Sequence, residues 1–476
     1  MYINELRGEV RKIMNSATTG GKKYYILTLG CQMNEHDTEV MRGLLENEGF
    51  VPCHHYADAD LLIVNTCAVR QKAEDKATAF LGEMRRWKKE RPGRLLALGG
   101  CMPQQGGDVL NYLGKSFDHI DIIFGTHSLP YLPALIQEAQ ISPQPVIDIE
   151  DRGNSSREGL PITRSSRFHA WVPIIYGCTN FCSYCIVPFV RGPERSRPMS
   201  NVIEEVEGLA RQGYQEITLL GQNVNAYGKD INGKSEFALL MEKLSEIDEI
   251  KRIRFLTSHP YDFTLNIVEV MARCPKICEH IHLPLQSGSN RILEMMNRGY
   301  TAEHYKDLAH NIRQLLPQAS LTTDLIVGFP GETEEDFWQT MEMVEEIRFD
   351  AAYTFVYSDR KGTPAARMPS KVPPETKKER ISHLIKRQQE IGLEINRELI
   401  GKSVEVLVEG VSKSDPEKLT GRTGTNKLVH FPGERVKEGH FCRVKIVKAK
   451  TWHLSGELDE ASVPTITNGG GRQSVE

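Results

Sequence analysis

The chain has 476 residues, 39% of them hydrophobic, which is enough for two or three domains with their own cores and excludes a single small module. A formal net charge of -4 excludes a globally basic nucleic-acid binder, so affinity for a polyanion has to come from local patches. No apolar run approaches the roughly 20 residues that span a bilayer, and the polar start MYINELRGEVRK does not read as a secretory signal. A cytoplasmic placement is expected, where the ten cysteines point to metal binding or catalysis before disulfides.

Three strand-like runs come first, and each stops at a cysteine: YYILTLGC at Cys31, LLIVNTC at Cys67 and LLALGGC at Cys101. Helix-like segments separate them, so residues 23–146 read as a parallel α/β domain. The C-terminal ends of parallel neighbours share one edge, and three thiols are therefore expected to converge there. A second metal–sulfide cluster is weighed against three inert core thiols at that edge. Other cysteines read as bystanders. Cys53 lies in a polar CHHY segment whose His54 and His55 suit a solvated turn. Cys274 and Cys278 fall in a helix-like stretch, and Cys442 sits in a strand-like run as core.

Residues 147–166, polar and charged, read as a linker. Beyond them a strand-then-helix unit repeats: WVPIIY, EITLLG, RIRFLTS, HIHLPLQ, TTDLIVGF and AAYTFVYS are the strands of an expected partial (βα)6 barrel over 167–396. Immediately after the first strand come Cys178, Cys182 and Cys185 in YGCTNFCSYC. Three thiolates can hold three irons of a four-iron cluster and leave the fourth open. Structural zinc is the alternative, but it prefers four ligands, and no fourth Cys or His follows at a suitable spacing. Other strand ends carry Gly221 and Gln222, Ser258, Gln286 and Ser287, and Gly328 after Asp324, polar groups and glycines of the kind a cofactor mouth requires. ERISHLIKRQQEIGLEIN reads as an amphipathic helix packed on the barrel. From residue 397 to 458 short strands alternate, giving a small all-β barrel. Its basic residues, among them Lys402, Lys418, Arg422, Lys427, Arg443 and Lys445, suit RNA phosphates. Residues 459–476 read as a disordered tail.

Tyr184 between the last two cysteines resembles the radical S-adenosylmethionine (SAM) superfamily, and KLTGRTGTNKLVHF resembles the TRAM RNA-binding module. With GCQMNEHD, NTCAVRQKAEDK, GGCMPQ, VPFVRGPERSRP, LLGQNVNAYG, LTSHP, LPLQSGSNRIL and IVGFPGET, the chain resembles the methylthiotransferase family over roughly residues 23 to 458. That resemblance implies two 4Fe-4S clusters, one on Cys178, Cys182 and Cys185 that cleaves SAM and one on Cys31, Cys67 and Cys101 that carries sulfur. It places the SAM amino group near Gly221 and Gln222, and adenine near the Gly328 turn. The implied substrate is a tRNA anticodon stem-loop carrying isopentenyladenosine, methylthiolated at C2, a C–H position that acid or base groups do not activate. An electron donor and a sulfur or cluster-repair donor are implied partners. Threonylcarbamoyladenosine is the alternative substrate, and a non-catalytic iron-sulfur RNA-binding or redox-sensing protein the alternative class. Arg191, Glu194, Arg195 and Arg197 form a charged loop; a grip of its arginines on tRNA phosphates is weighed there against a solvated turn held by ion pairs, the more common case. RRWKKERPGR is a weaker candidate for RNA contact.

Overall fold

The computed structural model describes residues 21–150, 157–413, 415–433 and 436–459. The tail from Glu460 expected to be disordered lies outside the described residues.

The first sheet contains β1 (Lys23–Thr28), β2 (Val51–Pro52), β3 (Leu61–Thr66), β4 (Leu95–Gly100), β5 (Ile122–Phe124) and β6 (Val146–Asp148). They pair in parallel in the order β2-β1-β3-β4-β5-β6. β3 is buried along its whole length, as a strand covered on both faces must be. Helices Gln32–Asn47 and Leu132–Ile141 cover one face through Val40, Leu45, Leu132 and Ile136, while helix Gln71–Glu90 covers the other through Ala77, Leu81 and Met84.

The expected linker 147–166 differs from a linker. It begins inside β6, and its described part is fastened to the first domain: Arg157 pairs with Asp37 at 2.6 Å, Thr163 N donates to Glu39 O, and Leu160 and Ile162 pack on the core. A Cβ on Gly43 would stand 2.3 Å from Pro161 O, so the helix needs glycine there to let this strap lie against it.

The middle region contains β7 (His169–Pro173), β8 (Ile175–Tyr176), β9 (Arg195–Ser196), β10 (Glu216–Leu220), β11 (Arg252–Phe255), β12 (His280–His282), β13 (Ser320–Val327) and β14 (Ala351–Val356). Two parallel sheets, β11-β10-β7 and β12-β13-β14, are joined by the parallel bridge of Ile253 with Ile277. Among the described residues no ladder joins β14 to β7, so this is the open six-stranded barrel the repeat predicts. WVPIIY is not one strand. β7 starts at His169 and ends at Pro173, which has no N–H to extend a ladder, and Ile175 and Tyr176 turn to pair antiparallel with β9. Strand alternation sorts the chemistry: Ala170, Val172, Ile217, Leu219, Ile253 and Leu321 join the core beneath the helices. The alternate positions are polar and pair with each other, with His169 Nε2 2.9 Å from Thr218 Oγ1, Arg254 Nε 2.9 Å from Glu216 Oε2, and His282 Nδ1 3.1 Å from Thr322 Oγ1. Helix Leu265–Arg273 stops before Cys274, so Cys274 and Cys278 do not share a helical face as expected. Helix Pro374–Arg397 packs on the barrel through Leu384 and Ile391.

The last domain is a closed barrel of β15 (Ser403–Ser412), β16 (Asp415–Thr423), β17 (Leu428–Pro432), β18 (Phe441–Ala449) and β19 (Leu454–Leu458), in the order β15-β16-β17-β19-β18. Cys442 lies in its core, as expected. The domain docks on the strand-start end of the large barrel. Arg252 Nη1 donates to Arg422 O at 2.8 Å, Arg254 Nη2 to Thr423 O at 2.8 Å, and Lys427 Nζ to Asp350 Oδ1 at 2.6 Å.

Candidate active site

The first trio is assembled at the C-terminal edge of the N-terminal sheet. Cys31 follows β1 and opens helix Gln32–Asn47, Cys67 follows β3, and Cys101 follows β4. A buried amide network holds the first two together: Asn34 Nδ2 donates to Asn65 Oδ1 and to Thr66 O, while Asn65 Nδ2 donates to Asn34 O and Thr38 Oγ1. A Cβ on Gly30 would stand 2.8 Å from Cys67 Cβ, and one on Gly100, at φ +97°, would stand 2.4 Å from Thr66 O. Only glycines before Cys31 and Cys101 let the three thiols approach. Their electrostatics register that proximity. A hydrogen bond with Cys67 holds the Cys31 thiol below its ordinary value, and the same bond, with burial, pushes Cys67 up. Burial pushes Cys101 up, against the opposing charge of Arg191.

The second trio lies on the loop after β8. Gly177, at φ +74°, precedes Cys178, and a Cβ there would stand 2.0 Å from Pro193 O. The loop is clamped from outside by residues 295–298: Ser183 Oγ donates to Met295 O at 2.8 Å, Ser183 N to Met296 O at 2.9 Å, and Asn297 Nδ2 to Asn180 O and Phe181 O. Arg298 Nη1 donates to Cys182 Sγ at 3.2 Å. Burial pushes the thiols of Cys178 and Cys185 up to about 12. These thiols therefore stay protonated at neutral pH unless a metal takes the proton's place.

The two trios meet. Cys101 packs in one apolar cluster with Ala68, next to Cys67, Ile186, next to Cys185, and Val190 in the short helix that follows. Thr126 Oγ1 donates to Val190 O at 2.5 Å and fastens the same boundary. Among the described residues no three His, Cys, Asp or Glu side chains gather into a group for a single metal ion. All-thiolate donor sets, three per group and mostly enclosed, suit iron-sulfur clusters better than zinc.

Around the second trio the strand ends carry polar atoms that are buried and lack a protein partner: Gln222 Oε1, Ser258 Oγ, His259 Nε2 and Gln286 Oε1. Burying such atoms is costly unless something bonds them, so they fit a polar cofactor. Thr257 and Gln286 adopt φ +69° and +73°, strained for side-chain-bearing residues, and both sit at strand ends facing this mouth. Gly221 is buried, and a Cβ on it would stand 2.4 Å from Ile175 Cγ2. Asp324 Oδ1 lies 3.5 Å from His282 Nε2, and Gly328 N donates to Glu332 Oε1 at 3.0 Å. Ser287 Oγ accepts from Ser289 N and lies 3.4 Å from Thr340 Oγ1, which fastens its own turn. Tyr184 is half-buried, its hydroxyl 3.4 Å from Arg298 Nη1.

In the charged loop after the second trio, ion pairs hold Arg191 and Arg197, though buried and not solvated. Arg191 is buried, donates to Asp37 Oδ2 at 2.9 Å and faces Cys101 and Cys31. Arg197 is buried between Glu158 and Glu205. Inward ion pairs spend both cations, so Arg191 does not grip phosphate. Trp87 likewise is buried, donating Nε1 to Tyr56 O at 2.8 Å. On the small barrel, β18 exposes Arg443, Lys445 and Lys448 while burying Cys442, Val444 and Ile446, and nearby Trp452 is 61% exposed. Lys427 and Arg422, by contrast, are paired with Asp350 and Glu409. Sequence reasoning missed Asn297, Arg298 and Asp37. Lone polar residues in MNRGY and GCQMNEHD carry no spacing that marks them.

Three family models match: Uncharacterized protein family UPF0004 over residues 23–125, the Radical SAM superfamily over 172–344, and the TRAM domain over 397–458. A tRNA-2-methylthio-N(6)-dimethylallyladenosine synthase of Carboxydothermus hydrogenoformans is 51% identical over 437 residues, covering 92% of this chain and 99% of that protein. This chain belongs to that family. The enzyme of the same name from Natranaerobius thermophilus is 51% identical over 443 residues, 93% of this chain and 98% of that one. Among solved structures, a radical S-adenosylmethionine methyltransferase of Kitasatospora setae superposes with TM-score 0.52 at 14% identity, over 73% of this chain and 74% of that chain, a likeness of fold alone. Membership of the radical SAM superfamily implies a 4Fe-4S cluster and SAM. No helix among the described residues is long and apolar enough to cross a membrane.

Proposed function

We propose that the protein methylthiolates C2 of N6-isopentenyladenosine in a tRNA anticodon stem-loop, in the cytoplasm, with two 4Fe-4S clusters and SAM. Cys178, Cys182 and Cys185 hold one cluster, and Cys31, Cys67 and Cys101 hold the other. When bound, these groups supply what side chains cannot: a carbon-centred radical able to activate an unactivated C–H bond, together with sulfur and a methyl group. The residues of the chain bind and orient. Gln222, Ser258 and Gln286, with their unpartnered polar atoms, receive SAM at the barrel mouth, near Tyr184, Gly221, Ser287, Asp324 and Gly328. Arg443, Lys445, Lys448 and Trp452 offer phosphate contacts and a stacking surface for single-stranded loop nucleotides. An electron donor and a sulfur donor complete the cycle.

The observation that supports this reading is the packing of Cys101 against Ile186 and Val190, which brings the edge that carries the first trio against the loop that leaves the second. Reconstituted, reduced protein is incubated with SAM and isopentenylated tRNA, and nucleosides are analysed by mass spectrometry. Methylthio-isopentenyladenosine is expected from the wild type. Cys182→Ala loses SAM cleavage to deoxyadenosine, whereas Cys101→Ala keeps cleavage and loses sulfur transfer. Transfer by Cys101→Ala would overturn the division of labour, and product only on threonylcarbamoylated tRNA would overturn the substrate.

A further inference from the structure

Arg298 is 5% exposed and Cys182 8% exposed, at a place where a guanidinium has little water to solvate it. Its hydrogen bonds go to neutral acceptors and one sulfur: Nε to Tyr300 Oη at 3.0 Å, Nη2 to Pro284 O at 2.9 Å, Nη1 to Tyr184 Oη at 3.4 Å and to Cys182 Sγ at 3.2 Å. Among the described residues no carboxylate forms an ion pair with it. Arginine does not give up its proton in a protein, and a buried cation without a counter-ion is strongly unfavourable. Something anionic has to sit opposite. The only group in its hydrogen-bonding set able to carry negative charge at neutral pH is the sulfur of Cys182, once metal displaces its proton.

Its neighbours keep the guanidinium aimed. Tyr300 Oη donates to Pro284 O and Leu285 O, fixing the ring over which the Arg298 cation lies at 5.3 Å. On the other side Asn297 holds the carbonyls of Asn180 and Phe181, so one short segment grips both the backbone of the cysteine loop and one of its sulfurs.

We propose that Arg298 is a positioning residue for the iron-sulfur cluster on Cys178, Cys182 and Cys185, donating to the Cys182 sulfur and making that cluster easier to reduce. This rests on the reading that those cysteines hold a cluster. Reduction adds one electron to an already anionic thiolate-bound group. A fixed positive charge and a hydrogen bond to ligand sulfur stabilise the reduced form more than the oxidised one, and both are recognised determinants of cluster potential. Burial strengthens the effect, because little solvent screens the pair. The residue thereby favours the electron uptake that precedes SAM cleavage.

The test uses the full chain with Cys31, Cys67 and Cys101 replaced by Ala, so that one cluster remains. Arg298→Lys and Arg298→Gln are compared with this parent by iron and sulfide content, by EPR-monitored redox titration and by the melting temperature of the metal-free protein. Arg298→Gln is expected to be at least tenfold harder to reduce, about 59 mV for a one-electron couple, with Arg298→Lys recovering most of that shift. An unchanged midpoint in Arg298→Gln, whether or not its melting temperature falls, overturns the proposal and leaves Arg298 a packing residue. If Arg298→Gln cannot be loaded, the same single-cluster parent carrying nitrogen-15-labelled arginine decides by pulsed EPR without SAM. A nitrogen-15 coupling to the reduced cluster is expected, and its absence overturns the proposal. Failure of the parent to take up iron at all would instead sink the cluster assignment, before any Arg298 variant is read.

Discussion

Single residues with little chemistry of their own decide how closely the site can assemble. Gly288 is one of them: a Cβ there would stand 2.5 Å from Gln339 O and 2.6 Å from Thr340 Cα, so backbone has to move to admit a methyl group. The turn it occupies follows Gln286, whose φ is +73°, and Gly288 N donates to Thr340 Oγ1 at 2.9 Å. Gly288→Ala is expected to destabilise the fold by about 1–3 kcal/mol and to weaken SAM binding more than tRNA binding, as measured by urea denaturation and by equilibrium dialysis of each ligand. At this scale the sequence was informative where residue type alone implies chemistry. Cys31, Cys67 and Cys101 could be picked out because each follows a strand-like run, and Cys178, Cys182 and Cys185 because they crowd into eight residues just past one. Arg191 stayed open between two readings because a cation in a charged loop looks the same whether its partner is a phosphate or, as here, Asp37.

Elements place these residues, and their burial makes the placement depend on pH. Helix Gln32–Asn47 carries His36 and β7 carries His169, and burial drives their pKa values down to about 3 and about 4 from 6.5. In the unfolded chain both accept protons near pH 6.5, and in the native state both remain neutral until well below that. Between those values the unfolded state binds more protons, so native stability falls as pH falls from about 6.5 toward 4, by up to about 1.4 kcal/mol per pH unit for each histidine. Metal-free protein is therefore expected to lose urea resistance between pH 7 and pH 5, and His169→Gln to flatten that dependence. A pH-independent urea midpoint over this range would contradict it. The elements themselves were largely legible. The run at β3 and the repeated strand-then-helix units show their period in the sequence, because burial selects apolar residues. WVPIIY failed as a single strand because proline and the antiparallel partner at Arg195 and Ser196 lie outside any local pattern.

Across the whole molecule, the small barrel closes the strand-start end of the large one, opposite the cysteine loops. Arg254 is the central tie: buried, 2.9 Å from Glu216, and donating to Thr423 O and Gly424 O. Arg254→Ala removes the ties and leaves Glu216 a buried carboxylate short of its closer cation, with Arg252 at 3.9 Å. Loss of one partner from such a pair costs about 3–5 kcal/mol. The expected outcome is faster proteolytic release of a C-terminal fragment cut near Gly401 and weaker tRNA binding, with iron content unchanged.

By itself the sequence determined the three-part architecture, the parallel sheets and the cysteines at the strand ends, because strand periodicity and residues stopping a strand are properties of neighbours along the chain. Only tertiary structure decided that 157–166 is a strap and not a linker, that Arg191 faces inward, and that Arg298 reaches Cys182 across 116 residues of sequence. Those outcomes depend on which charges become buried together. Burial is settled by how separate elements pack, and a linear pattern does not contain that information.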